Sequence, residues 1–140
     1  MSRRPIPASL RWLAFLVALC IAVAAGTGAM MYVETQDQRR IQAEMVSRGD
    51  WQRGRSSIKR YGCGSCHIIP GIDGAVGKVG PDLTHVGQRA AIAGSLPNTP
   101  KALALWLMHP QALRPGSGMP DQGITPQQAR DISAYLYAQK

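Results

Sequence analysis

Hydrophobic positions fall along this 140-residue chain in two contrasting patterns. From Trp12 to Val33, 19 of 22 residues are hydrophobic and none is charged. As a helix rising ~1.5 Å per residue this run is ~33 Å long, which matches a hydrocarbon core of ~30 Å. Trp12 and Tyr32 lie at its two ends, where amphipathic rings favour the lipid headgroups. A retained transmembrane helix is therefore expected over 12–33, after a basic segment over 1–11. The alternative is a cleaved signal peptide with Arg3, Arg4 and Arg11 as its basic start and a cut near Val23-Ala24-Ala25. That cut would leave the apolar stretch from Ala29 to Val33 exposed.

Beyond the run the pattern becomes polar and then helical in short pieces. Residues 34–49 carry Gln and paired charges, with no proline before Pro70, and predict a helical stalk that lets the domain beyond it rotate. Over 50–140 three helices are predicted. Asp50 is an N-cap for the first, with Gly54, Ile58 and Tyr61 on one face and Gly54 admitting a close neighbour. Thr99-Pro100 opens the second, whose stripe is Leu103, Trp106 and Leu107 before Pro110 ends it. Thr125-Pro126-Gln127-Gln128 is a capping box for the third, followed by Ala129, Ile132 and Leu136. The glycine-rich stretch from Ile68 to Gly80 reads as loop.

Composition turns this pattern into a question. Outside 12–33 only 44 of 118 residues are hydrophobic, and 50–140 contains no phenylalanine but 12 Gly and 8 Pro. So thin a core calls for a staple such as a disulfide or a metal. A multidomain enzyme and a fully disordered chain are both excluded. The net charge of +8 divides as +3 over 1–33, +3 over 34–60 and +2 over 61–140. No basic stripe of the kind nucleic-acid binding requires is present. Arginines flank the apolar run on both sides, so charge does not orient it.

The staple has a candidate. In Cys63-Gly64-Ser65-Cys66-His67 two thiols stand three apart with a histidine next, the attachment signature of covalent c-type haem. On one helical turn both sulfurs reach one edge of a porphyrin, and the next residue aims its imidazole at the iron. A zinc site would want a second Cys or His pair, and no cysteine follows Cys66. A redox dithiol would want a βαβ frame. Cys20, in mid-span, reads as a small packing residue. Downstream candidates for a sixth iron ligand are Met108, Met119, His85 and His109. Met119 is preferred, because Pro115-Gly116-Ser117-Gly118-Met119-Pro120 is a stiff loop that can lay a thioether over the haem. Met108 lies on an apolar helix stripe, His109 at a helix end, and His85 is suited to a propionate.

Tyr61-Gly62-Cys63-Gly64-Ser65-Cys66-His67, Gly80-Pro81-Asp82-Leu83-Thr84-His85-Val86-Gly87-Gln88-Arg89, Met119-Pro120-Asp121-Gln122-Gly123-Ile124-Thr125 and Asp131-Ile132-Ser133-Ala134-Tyr135-Leu136 together resemble class I c-type cytochromes. Leu96-Pro97-Asn98-Thr99-Pro100 and His109-Pro110-Gln111-Ala112-Leu113-Arg114-Pro115-Gly116 narrow the resemblance. From about Gly49 onward the chain is similar to the haem-c domain of subunit II of some haem-copper oxidases. Here one span and a stalk precede that domain, in place of a copper-binding cupredoxin domain. The resemblance implies an all-α fold of three main helices around one covalent haem, with long Gly/Pro-rich loops, after a single transmembrane helix. It implies thioethers at Cys63 and Cys66, axial ligation by His67 and Met119, and a Pro81 carbonyl accepting from the His67 imidazole. Arg89 and Trp106 are candidate haem or propionate contacts beside their plainer roles as surface charge and core. By the same resemblance the last helix crosses the first, with Tyr135 or Leu136 near Gly54.

The expected function is single-electron transfer in a respiratory chain, from a quinol-oxidising donor to a terminal oxidase, as a tethered carrier or an accessory oxidase subunit. The expected place is the outer face of a bacterial inner membrane, since covalent haem attachment belongs to that side. The rival class is a haem enzyme or gas sensor, which needs a labile sixth position and polar distal groups.

Overall fold

The computed structural model describes residues 7–139. Arg3, Arg4 and Lys140, which belong to the expected basic start and the expected C-terminal domain, lie outside the described residues. The chain divides into two compact units, Met1–Asp37 and Gln38–Lys140. Helix α1 runs Ala8–Ser47, and among the described residues it is the one helix long and apolar enough to cross a membrane. Within the first unit the apolar side chains of Leu13, Phe15, Ile21, Met30 and Val33 are exposed. Thr27 and Thr35 turn their hydroxyls back onto carbonyls one turn earlier, at 3.0 Å to Val23 and 2.7 Å to Met31. That bonding satisfies both threonine hydroxyls within the helix itself.

In the second unit, helices α2 (Trp51–Arg60), α3 (Pro100–Met108), α4 (Pro110–Leu113) and α5 (Pro126–Ala138) surround one core. The predicted caps form. Asp50 accepts from the Arg53 N–H at 2.7 Å, Thr99 accepts from Ala102, and Thr125 and Gln128 close a reciprocal capping box. Pro110 ends α3 as expected but also opens α4, since its missing N–H costs nothing in a first turn. Two further features were not anticipated. Ala91–Ile92 (β1) pairs antiparallel with Leu96–Pro97 (β2), and a single bridge joins Ile68 to Val76.

The α2–α5 crossing is the structural centre. A Cβ on Gly54 would lie 2.0 Å from the Asp131 carbonyl oxygen, and one on Gly49 2.2 Å from that of Arg130. The neighbour of Gly54 is therefore the Asp131–Ile132 backbone, one turn before the expected Tyr135 or Leu136. Only backbone-to-backbone approach is close enough to demand glycine there. Tyr135, 1% exposed, instead stacks on Trp51 at 5.2 Å and donates to the Pro70 carbonyl at 2.6 Å. Tyr61 is half-buried, and its hydroxyl reaches the Gln128 carboxamide at 2.8 Å.

Asp131 is buried at that crossing. It accepts from the Asp50 N–H (2.8 Å), from Gln127 (2.8 Å) and from the Arg53 guanidinium (3.1 Å). Burial pushes its carboxyl up, yet these hydrogen bonds and the Arg53 charge outweigh that and hold it below the usual carboxylate range. The stalk expected over 34–49 is helical as far as Ser47, and its later turns make contacts with the domain. The second unit begins at Gln38, Ala43 and Ser47 are buried, Glu44 caps the Trp51 N–H at 2.8 Å, and Arg40 lies 4.5 Å over the Trp51 ring. Glu44 and Arg40 thus tie its last turns to Trp51 at the start of α2.

Candidate functional site

A cavity of about 790 Å³ opens inside the second unit between α2, α3, α5 and the loops. Its walls are mostly apolar, with Ile58, Leu83, Val86, Ile92, Leu103, Leu107, Ile132 and Leu136 contributing. So large a space inside so small a domain leaves a core without a centre, since interiors are otherwise close-packed.

One wall is the segment Cys63–His67. Cys63–Ser65 forms a 3-10 turn, entered through Gly62 in the left-handed region (φ 64°). Both cysteines line the cavity, and burial pushes the Cys63 thiol up. The expected loop from Ile68 to Gly80 packs beneath this turn through glycines. A Cβ on Gly64 would lie 2.7 Å from Ala75, one on Gly77 2.3 Å from the Ser65 carbonyl oxygen, and one on Gly80 2.3 Å from the His67 ring. Backbone bonds from Gly77 to Gly64 (3.1 Å) and from Gly80 to Cys66 (2.8 Å) fix the same contact. His67 Nδ1 lies 2.7 Å from the Pro81 carbonyl. A carbonyl only accepts, so Nδ1 carries the proton and Nε2 keeps its lone pair for a metal.

The cavity is also lined by Met119 and its loop neighbours from Gly116 to Pro120. Met108, His85 and His109 are not among the lining residues. Among the described residues no three His, Cys, Asp or Glu side chains gather to hold an ion, so the zinc reading has no ligand set. Trp106 and Arg89 both reach the lining. The Arg89 guanidinium donates to the Asp82 carbonyl. Its segment is pinned by Asn98, whose amide donates to the Val86 and Arg89 carbonyls at 2.7 Å each. Tyr137 in turn donates to Asn98 at 2.7 Å, and burial alone pushes its phenol up to about 12.

The donor set and the shape fit a covalent haem: two thiols on one turn, an imidazole with its outer nitrogen committed, an apolar slot, and a thioether loop beyond. Residues 51–140 match the family described as Cytochrome c. The chain belongs to the cytochrome c family. As a cytochrome c it is an electron-transfer protein, in a family that binds haem c at cysteines of the spacing of Cys63 and Cys66. The all-α reading of the domain agrees with this membership, the two-residue strands being a minor addition.

The chain is also 37% identical over 68 residues to a cytochrome c oxidase subunit 2 of Alkalihalophilus pseudofirmus. That segment is 49% of this chain and 19% of the relative. No solved structure matches the chain.

Three residues at the cytochrome c cavity escaped the sequence reading. Arg114 lines it and donates to the Ala93 carbonyl at 2.6 Å, tying the β1–β2 turn to the Met119 loop. Gln122 lines it with a buried carboxamide oxygen that has no partner. Gln111 holds two loop carbonyls. Neither periodicity nor capping marks such residues, since Arg114 and Gln111 act across a loop on backbone atoms and Gln122 lies in no helix or strand. The signal open to sequence reading was the clustering of Gln111 and Arg114 just ahead of the glycine loop.

Proposed function

We propose that this chain is a membrane-anchored monohaem cytochrome c that carries single electrons in a bacterial respiratory chain. In this reading 12–33 is the transmembrane helix and the haem domain faces the outer side of the inner membrane. Cys63 and Cys66 hold the haem through thioethers, and His67 and Met119 are the axial ligands, with Pro81 orienting the imidazole. Bound there, the haem supplies one-electron Fe(II)/Fe(III) chemistry. Arg89 stands on the rim to meet a propionate, and Trp106 closes part of the apolar slot. Excluding water from that slot disfavours the more highly charged ferric state, which together with His/Met ligation raises the potential.

The observation that carries the reading is that Cys63, Cys66, His67 and Met119 line one cavity while Met108, His85 and His109 do not. The donor would be a quinol-oxidising complex and the acceptor a haem-copper terminal oxidase, with the chain acting as tethered carrier or accessory subunit. The similarity to a cytochrome c oxidase subunit 2 supports that acceptor. Carbon monoxide added to the reduced protein, purified from membranes in mild detergent, tests the ligation. A spectrum left unchanged is expected. Ready binding would replace the carrier with a haem enzyme or gas sensor. Recovery of an oxidase in the same detergent fraction would establish the partner, and recovery of truncated protein free in the periplasm would overturn the anchor.

A further inference from the structure

The loop bearing Met119 has little of its own to hold it in place. It lies outside every helix and strand, and a Cβ on Gly116 or Gly118 would find no heavy atom within 4 Å. Yet the two carbonyls that bracket the approach to Met119 are both taken by one side chain. The Gln111 amide nitrogen donates to Ser117 O at 2.7 Å and to Met119 O at 2.6 Å. Both partners are carbonyls and can only accept, so chemistry fixes which way the amide points, and both of its hydrogens are committed. Gln111 is itself anchored. It follows Pro110 in the first turn of α4, and its backbone N–H donates to Asp121 Oδ1 at 3.2 Å, just past the same loop. A further bond, from Met119 N–H to Ser117 Oγ at 3.2 Å, tightens the bend that the amide spans.

We propose that Gln111 is a positioning residue for the sixth-ligand side: its carboxamide clamps the loop so that Met119 stays turned into the cavity. The proposal rests on the reading of Met119 as the axial ligand. A thioether is a weak, neutral ligand. How easily an outside ligand displaces it depends on what swinging the loop away costs, and the two Gln111 bonds add to that cost.

The test uses the full chain with its haem, in detergent, and imidazole as the competing ligand of the ferric protein. Gln111→Leu keeps the size and removes both donors, while Gln111→Glu keeps the shape and sets an acceptor against two acceptors. Both should bind imidazole about tenfold more tightly, as losing two neutral hydrogen bonds implies. Both should also weaken the ferric methionine-to-iron charge-transfer band, with covalent haem content and thermal unfolding close to those of the parent. Parent-like imidazole affinity and an intact band in either folded variant would overturn the proposal. Met119→Leu separates the two layers. If it leaves the band unchanged, the ligand assignment is wrong and the clamp falls with it. If it abolishes the band while the Gln111 variants behave as the parent, only the clamp is wrong.

Discussion

The two sides of the cavity are held by different means. Cys63–His67 rests on backbone: three glycines meet neighbouring backbone or the imidazole ring, and amides close the contact within 17 residues of chain. The Met119 loop rests on side chains, Gln111 from α4 just ahead of it and Arg114 reaching the β1–β2 turn. The first arrangement is stiff because backbone atoms have nowhere to go. The second is adjustable because a side chain can let go. In the proposed reading the contrast suits an electron carrier: the attachment side is built once, while the loop bearing the proposed sixth ligand sets how closed the metal stays.

The largest effect should come from removing what both sides enclose. Replacing Cys63 and Cys66 by Ser blocks haem attachment, and the domain should then fail to fold, seen as lost helical circular dichroism and rapid proteolysis. A stable, native-like form without haem would contradict the view that the haem completes the core. Next, Gly77→Ala should destabilise the haem-bound protein by about 3 kcal/mol in denaturant unfolding, since its Cβ would sit 2.3 Å from a carbonyl oxygen. A neutral result would show the attachment side to be more pliable than drawn.

Asp131 lies at the crossing that aligns α2 and α5. Asp131→Ala should cost about 2 kcal/mol, because it strips the partner from the Asp50 N–H and from Gln127. The parent should also lose stability in acid. A carboxyl held below its unfolded value of about 3.9 stabilises fully above that pH, and the contribution disappears as pH falls through the lower folded value. Unfolding followed from pH 6 downward should therefore show a smaller acid dependence in the Ala variant. An identical dependence would remove Asp131 from the account. The smallest effect is expected across the cavity, where Gly118→Ala meets no atom within 4 Å and should change stability by less than about 0.5 kcal/mol. A large loss there would mean that the Met119 loop is as tightly built as the attachment side.

Much of this was legible beforehand. Caps at Asp50, Thr99 and Thr125 were readable because each bonds to a residue three positions away, and the Cys63–His67 pentapeptide because its geometry fits within one turn. Gly54 was read correctly as a close approach but assigned the wrong neighbour, since helix crossing depth is set by both surfaces together. The contacts at the end of the stalk are hidden from the sequence for a related reason. Glu44 looks like an ordinary helix residue until its carboxylate meets the Trp51 N–H.

The sequence by itself determined the apolar run long enough to span a membrane, the positions of the helices, and the two thiols with their histidine, because those depend on interactions within one or two turns. Only the tertiary structure decided that Met119 rather than Met108, His85 or His109 borders the cavity. It alone decided that Tyr135 turns to Trp51, and that Gln111 reaches across a loop to two carbonyls. The first two depend on distances between segments remote in the chain and the third on the path of an irregular loop, and no local periodicity encodes either.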